Sequence, residues 1–244
     1  MTVGVILRLG TDHMQDFEHA RTTMVDSQIR PADVTKFPVI QAFLAVPKEA
    51  LIPQGMRSVA YADNQIPIDD FSRRVILDAR SFAKMLDAVD IQPDELVLDL
   101  GCGYGYSAAV IARLAEAVVA VEEIKEIAVE AETLLIRHDV YNAIVTHAPL
   151  AEGDARHGPY DVIVVEGAIE QLPVRIGDQL KDSGRIVSLV SNGGVCCCRF
   201  GKKIGKTIHW RRVFDSGAPV LPGFQRTRSF DEIWASEPAS IRRG

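Results

Sequence analysis

Leu98–Ala109 reads LDLGCGYGYSAA. A short apolar run ends on an aspartate, and glycines then stand at every second position, 101, 103 and 105. A run this short and apolar predicts a buried strand, and the stretch YSAAVIARLA that follows predicts a helix. Strand, glycine turn and helix together open a βαβ unit. Further along the chain the same rhythm repeats. AVVAVE predicts a strand, IKEIAVEAETLLIRH a helix, NAIVTH and YDVIVVE two more strands, VRIGDQL a short helix and GRIVSLV a strand. Strands of this kind alternating with helices indicate a parallel sheet covered on both faces. GGVCCCRFGKKIGKTIHWRRVFD alternates differently and predicts a β-hairpin added to that sheet, with Gly201 to Gly205 as its turn. The fold class is therefore α/β, Rossmann-like. It has a mostly parallel seven-stranded sheet, helices on both faces and a C-terminal hairpin.

Upstream, DFEHARTTMVDSQ and PVIQAFLAVP predict helices, and AKMLDAVDI closes a third. The expected organisation is an N-terminal extension at 1–13, a helical and substrate-loop region at 14–90, a ligand-binding core at 91–230 and a tail at 231–244. The 244 residues carry a formal net charge of −6, which argues against nucleic acid as the main partner. No apolar run reaches the ~18 residues of a membrane span. The first residues lack the charged flank of a signal peptide. The four cysteines are Cys102 and the adjacent Cys196, Cys197 and Cys198, which suits reduced thiols and a cytoplasmic protein rather than a disulfide framework. No metal site is expected, because the chain has no CxxC pair and its histidines are scattered. Oligomeric state is not legible.

In a doubly wound sheet, ligands sit beyond the carboxyl ends of the strands. A dinucleotide loop has the spacing G-x-G-x-x-G, whose third glycine falls on Tyr106 here. The alternative, acidic-x-Gly-x-Gly-x-Gly, is the class I methyltransferase loop, and Asp99, Gly101, Gly103 and Gly105 match it in full. Its ligand, S-adenosylmethionine, carries an ammonium and a sulfonium, so an aspartate at the strand end makes electrostatic sense. Glu122 ends the next strand, where a carboxylate accepts ribose hydroxyls in either cofactor class. The expected cofactor contacts are Asp99, Gly101, Cys102, Gly103, Gly105, Tyr106, Glu122, Glu123 and Glu166. A nicotinamide oxidoreductase is the disfavoured alternative.

MVDSQIRPADV, VPKEALIP, AYADNQIPI, VLDLGCGYGYSAAVIARLA and PYDVIVVEGAIEQLP, in that order, resemble the protein-L-isoaspartate O-methyltransferase family, from about Asp16 to Phe224. The resemblance implies transfer of a methyl group from S-adenosylmethionine to the side carboxylate of an isoaspartyl residue in a damaged protein or peptide. The chain departs from the family in two places. The family's G-Q-T-I-S-Q-P loop aligns with RRVILDA, and the threonine, inner serine and proline are missing. Ser72, Arg73 and Arg74 are the candidates left there for the acceptor, with the arginines suited to an anion. Where the family has Gly-Asp, with the aspartate on the adenine amine, this chain has Ala148 and Pro149. These departures keep two alternatives open: a methyltransferase acting on another, small anionic acceptor, and a module that binds S-adenosylmethionine without turnover.

Overall fold

The structure is a computed structural model and describes residues 17–226. The expected extension at 1–13 and tail at 231–244 lie outside the described residues. Helix α1 covers 17–24 and runs on through a wider turn at Val25–Ile29. Helix α2, Phe37–Ala45, has Pro38 in its first turn, where no amide partner is lost. Strands β1 (Ile66–Pro67) and β2 (Val75–Ile76) form a small antiparallel hairpin. Helix α3, Ala79–Val89, is capped by the Asp78 side chain, which accepts from the Ser81 amide at 2.8 Å.

The main sheet contains β3 (Leu96–Leu100), β4 (Ala117–Glu122), β5 (Ala143–His147), β6 (Tyr160–Ile169), β7 (Leu180–Asn192), β8 (Val195–Ile204) and β9 (Thr207–Asp215). Helices α4 (Tyr106–Ala112), α5 (Lys125–Arg137) and α6 (Val174–Asp178) connect its parallel strands. The spatial order is β5-β4-β3-β6-β7-β8-β9. Neighbours from β5 to β7 are parallel, whereas β8 and β9 run antiparallel. The chain moves outward from β3 through β4 to β5, then returns to the other side of β3 as β6. That reversal opens a crevice at the carboxyl ends of β3 and β6.

Side chains alternate between the faces of the sheet. Leu98, Leu100, Val119, Val121, Ile163 and Val165 face one core. Val97, Val118, Ala120, Val162 and Val164 face the other, shared with α1 to α4. Among the described residues no helix is long and apolar enough to cross a membrane.

The C-terminal hairpin is present, but its turn is not at 201–205. Gly201 lies inside β8, paired with Ile186 on one side and Trp210 on the other. A Cβ there would come within 2.7 Å of Ile186 and Ile208 side-chain carbons. Close packing, not a turn, requires this glycine. The chain reverses at Gly205 and Lys206, between the paired Ile204 and Thr207.

Candidate functional site

Sheet register sets the carboxylates. Leu100 pairs with Val121 of β4 and with Val165 of β6. One residue further on, Glu122, Gly101 and Glu166 therefore stand side by side, facing the helical core as Asp99 does two residues earlier. All three acids are buried, with Asp99 and Glu122 at 0% exposure and Glu166 at 4%. The glycine loop gives them room. Gly101 has φ +92°, and a Cβ on it would lie 3.3 Å from the Arg74 Nη2 and 3.7 Å from the Glu166 Cβ. Gly103, at φ +54°, lies under Ile68, whose Cγ2 would be 3.3 Å from an added Cβ. The β1–β2 hairpin thus roofs the loop.

Each acid has its own environment. Asp99 Oδ2 accepts from the Ser107 hydroxyl at 2.6 Å, whereas Oδ1 has no hydrogen-bond partner. Burial pushes the Asp99 carboxyl up to about 7, against the hydrogen bond from Ser107. Burial, reinforced by the charge of Asp99, also holds the Glu166 carboxyl well above the carboxylate range, and its Oε1 is unpartnered. Glu122 is saturated. Its Oε1 accepts from Arg74 Nη1 at 2.5 Å and the Ile124 amide at 2.9 Å, and its Oε2 from Arg74 Nη2 at 2.7 Å and the Gly103 amide at 2.9 Å. Glu123 stands 3.7 Å from Arg74 Nη1.

The sequence candidates therefore separate. Asp99, Gly101, Gly103, Glu122, Glu123, Glu166 and Arg74 converge at the crevice. Cys102 is buried in the loop as part of the core, and its thiol donates to the Gly103 carbonyl at 3.7 Å. Gly105 has φ 90° and precedes α4. The Tyr106 side chain turns into the core against Phe43 and Phe82. Arg73 is exposed, with φ 57°. The Ser72 hydroxyl accepts from the Arg74 amide at 3.2 Å and so shapes the turn. Leu150, next to the substituted Pro149, sits 3.7 Å from the same added Cβ on Gly101 and lines the loop.

Sequence reasoning missed two residues. Ser107 was visible as a hydroxyl at the second position of α4, within its first turn. Lys48 lies within VPKEALIP, yet nothing in that stretch signals that its ammonium is buried. Two buried, unpartnered carboxylate oxygens beside a glycine loop suit a ligand that brings a cationic donor, as the amino acid end of S-adenosylmethionine does.

Comparison with known proteins places the chain among methyltransferases. The family model described as protein-L-isoaspartate(D-aspartate) O-methyltransferase matches residues 19–212. A protein-L-isoaspartate O-methyltransferase of Aliivibrio fischeri (strain MJ11) is 32% identical over 169 residues, covering 69% of this chain and 80% of the relative. Its counterpart from Geobacter metallireducens is 30% identical over 210 residues, covering 78% and 96%. Among solved structures, one protein-L-isoaspartate O-methyltransferase superposes with a TM-score of 0.73 at 23% identity, over 83% of this chain and 66% of that one. A Plasmodium falciparum structure, described as a putative enzyme of this kind in complex with S-adenosyl-L-homocysteine, gives 0.70 at 17% identity, over 82% and 96%. At these identities the structural likeness shows the fold.

Proposed function

The chain belongs to the protein-L-isoaspartate(D-aspartate) O-methyltransferase family, and we propose that it methylates the side carboxylate of isoaspartyl residues in proteins or peptides, with S-adenosylmethionine as donor, in the cytoplasm. The observation that carries this reading is the set of three buried acids on one face of the sheet at its reversal point, two of them with an unsatisfied oxygen. When bound, S-adenosylmethionine supplies a methyl carbon made electrophilic by its sulfonium. Asp99 and Glu166 offer acceptors to its ammonium, and Glu122 offers its carboxylate to the ribose hydroxyls. The backbone at Gly101 and Gly103 permits close approach. Ile68 covers Gly103 with an apolar side chain, and an apolar cover beside the reacting atoms would favour displacement over hydrolysis.

The acceptor carboxylate is ionised at pH 7 and is its own nucleophile, so no side chain has to remove a proton. Its oxygen forms the new C–O bond as the C–S bond breaks, and the sulfur keeps the electron pair. What this chain contributes is position: an in-line approach with the reacting atoms held within about 3.5 Å.

Incubation with methyl-labelled donor and an isoaspartyl peptide, with the matching aspartyl peptide as control, tests this. Alkali-labile label on the isoaspartyl peptide alone is the expected outcome. Equal labelling of both peptides, or of neither while the donor binds, would move the assignment to a different anionic acceptor.

A further inference from the structure

Glu122 has no free acceptor site. A carboxylate offers about four lone-pair positions. Two are held by the Gly103 and Ile124 amides, and the other two by the two terminal nitrogens of Arg74. The amides are fixed by the loop and the chain beyond β4. A ribose diol can therefore reach Glu122 only where Arg74 now binds.

Arg74 is anchored at its guanidinium chiefly by Glu122. Its guanidinium is 3% exposed, and its Nε has no partner. Its backbone is tied by one hydrogen bond from the Ile68 amide, at 3.1 Å, and by its own amide to Ser72 Oγ. The turn around it protrudes into solvent, with Phe71 91% exposed. Besides Glu122, the acids whose charge this guanidinium meets are Glu123, Asp69 in its own turn and, at the glycine loop, Asp99. A ligand that brings an ammonium, as S-adenosylmethionine and S-adenosylhomocysteine both do, replaces part of the positive charge these acids receive from Arg74. A displaced guanidinium that stays in the crevice needs another anion, because a buried unpaired charge is costly. The anion that arrives next in this reaction is the acceptor's own carboxylate, which matches a guanidinium through two parallel hydrogen bonds.

We propose that Arg74 is a two-position residue: it closes the ribose site on Glu122 in the free protein, and after the cofactor displaces it, it binds the acceptor carboxylate. The acceptor then binds well only after the cofactor. The proposal rests on the function proposed above, and it gives the substituted 68–78 loop a role in place of the family's missing hydroxyls.

Titration calorimetry with S-adenosylhomocysteine and an isoaspartyl peptide tests both positions. In the wild-type protein, saturating S-adenosylhomocysteine should tighten peptide binding by about tenfold or more. Arg74→Ala should bind S-adenosylhomocysteine about tenfold more tightly than wild type, and its peptide affinity should no longer respond to S-adenosylhomocysteine. Arg74→Lys, which keeps the charge but cannot span both Glu122 oxygens, should also bind S-adenosylhomocysteine more tightly while retaining part of the peptide response. It decides the matter if the alanine variant does not fold. Weaker or unchanged S-adenosylhomocysteine binding in a folded variant overturns the Arg74 assignment and leaves the proposed function standing. A wild-type protein that binds no S-adenosylhomocysteine overturns both.

Discussion

Arg74 and Lys48 are both cations buried under the same helical layer, and the fold treats them in opposite ways. Arg74 meets a carboxylate through two short hydrogen bonds. Lys48 is 0% exposed, its Nζ has no hydrogen-bond partner, and it lies 5.5 Å from the centre of the Tyr106 ring. Burial lowers its pKa to about 8, with Asp78 opposing the shift. A guanidinium with a partner stays charged inside a protein, whereas an ammonium without one gives up its proton more readily than it does in water. The paired cation can act as a switch, because a ligand can compete for its partner. The unpaired one acts as a pH-dependent load on stability.

The largest test of this contrast is removal of the partner. Glu122→Gln leaves Arg74 buried with half its hydrogen bonds and without its bidentate counter-charge, Glu123 at 3.7 Å being the nearest carboxylate left. Breaking a buried pair from one side costs about 3–5 kcal/mol, so urea unfolding should show a loss of that order. A loss below about 1 kcal/mol would mean that Arg74 relaxes into solvent at little cost, and the two cations would then be less different than their geometry indicates.

Lys48 should show itself in the opposite sense. Its folded pKa of about 8 lies below the ordinary lysine value of 10.5, so the unfolded chain binds more protons between those values. Stability contributed by this group therefore rises with pH across that window, by about 3 kcal/mol if the shift holds in full. Lys48→Met should remove the rise and should be more stable than wild type at pH 7. Chemical unfolding at pH 7, 8, 9 and 10 reads both effects. A flat wild-type profile would show that Lys48 has found a partner.

Asp99 extends the contrast to the acids. Its carboxyl is raised to about 7, so it loses its proton only as pH passes that value, and its contribution to stability falls as pH rises from about 4 towards 7. A cationic ligand needs the ionised form. S-adenosylhomocysteine affinity should increase about tenfold from pH 6 to pH 8, the scale of one unit of linked protonation. Asp99→Asn should flatten that profile. Affinity that is independent of pH in the wild type would place the ligand's ammonium elsewhere.

Much of this was legible in the sequence because it follows from strand order. Asp99, Glu122 and Glu166 each end an apolar run, and a parallel sheet brings such ends to one edge. Two-residue alternation then puts all three on one face. Arg74 was legible only as a charge near an anionic substrate. Its burial against Glu122 depends on a hairpin only two residues per strand, which folds back over the glycine loop through contacts such as Ile68 on Gly103. No periodicity announces a hairpin that short. Gly201 misled for the opposite reason. A glycine followed by two lysines carries turn chemistry, while the crowding that requires it comes from Ile186 and Ile208 on neighbouring strands.

The smallest effect concerns the ring beneath Lys48. The Tyr106 hydroxyl is buried without a hydrogen-bond partner, and burial holds its pKa well above the ordinary value. The ring itself packs against both Phe43 and Phe82, with centroids 6.4 Å and 6.3 Å away. Tyr106→Phe keeps the ring, its packing and its face towards Lys48, and removes only an unsatisfied polar group. Leaving such a group buried costs about 1 kcal/mol or somewhat more, so the variant should be more stable by about that amount. A loss of stability would instead mean that the hydroxyl and the Lys48 ammonium share a buried water. Lys48 would then be paired after all, through solvent, and its difference from Arg74 would be one of partner rather than of principle.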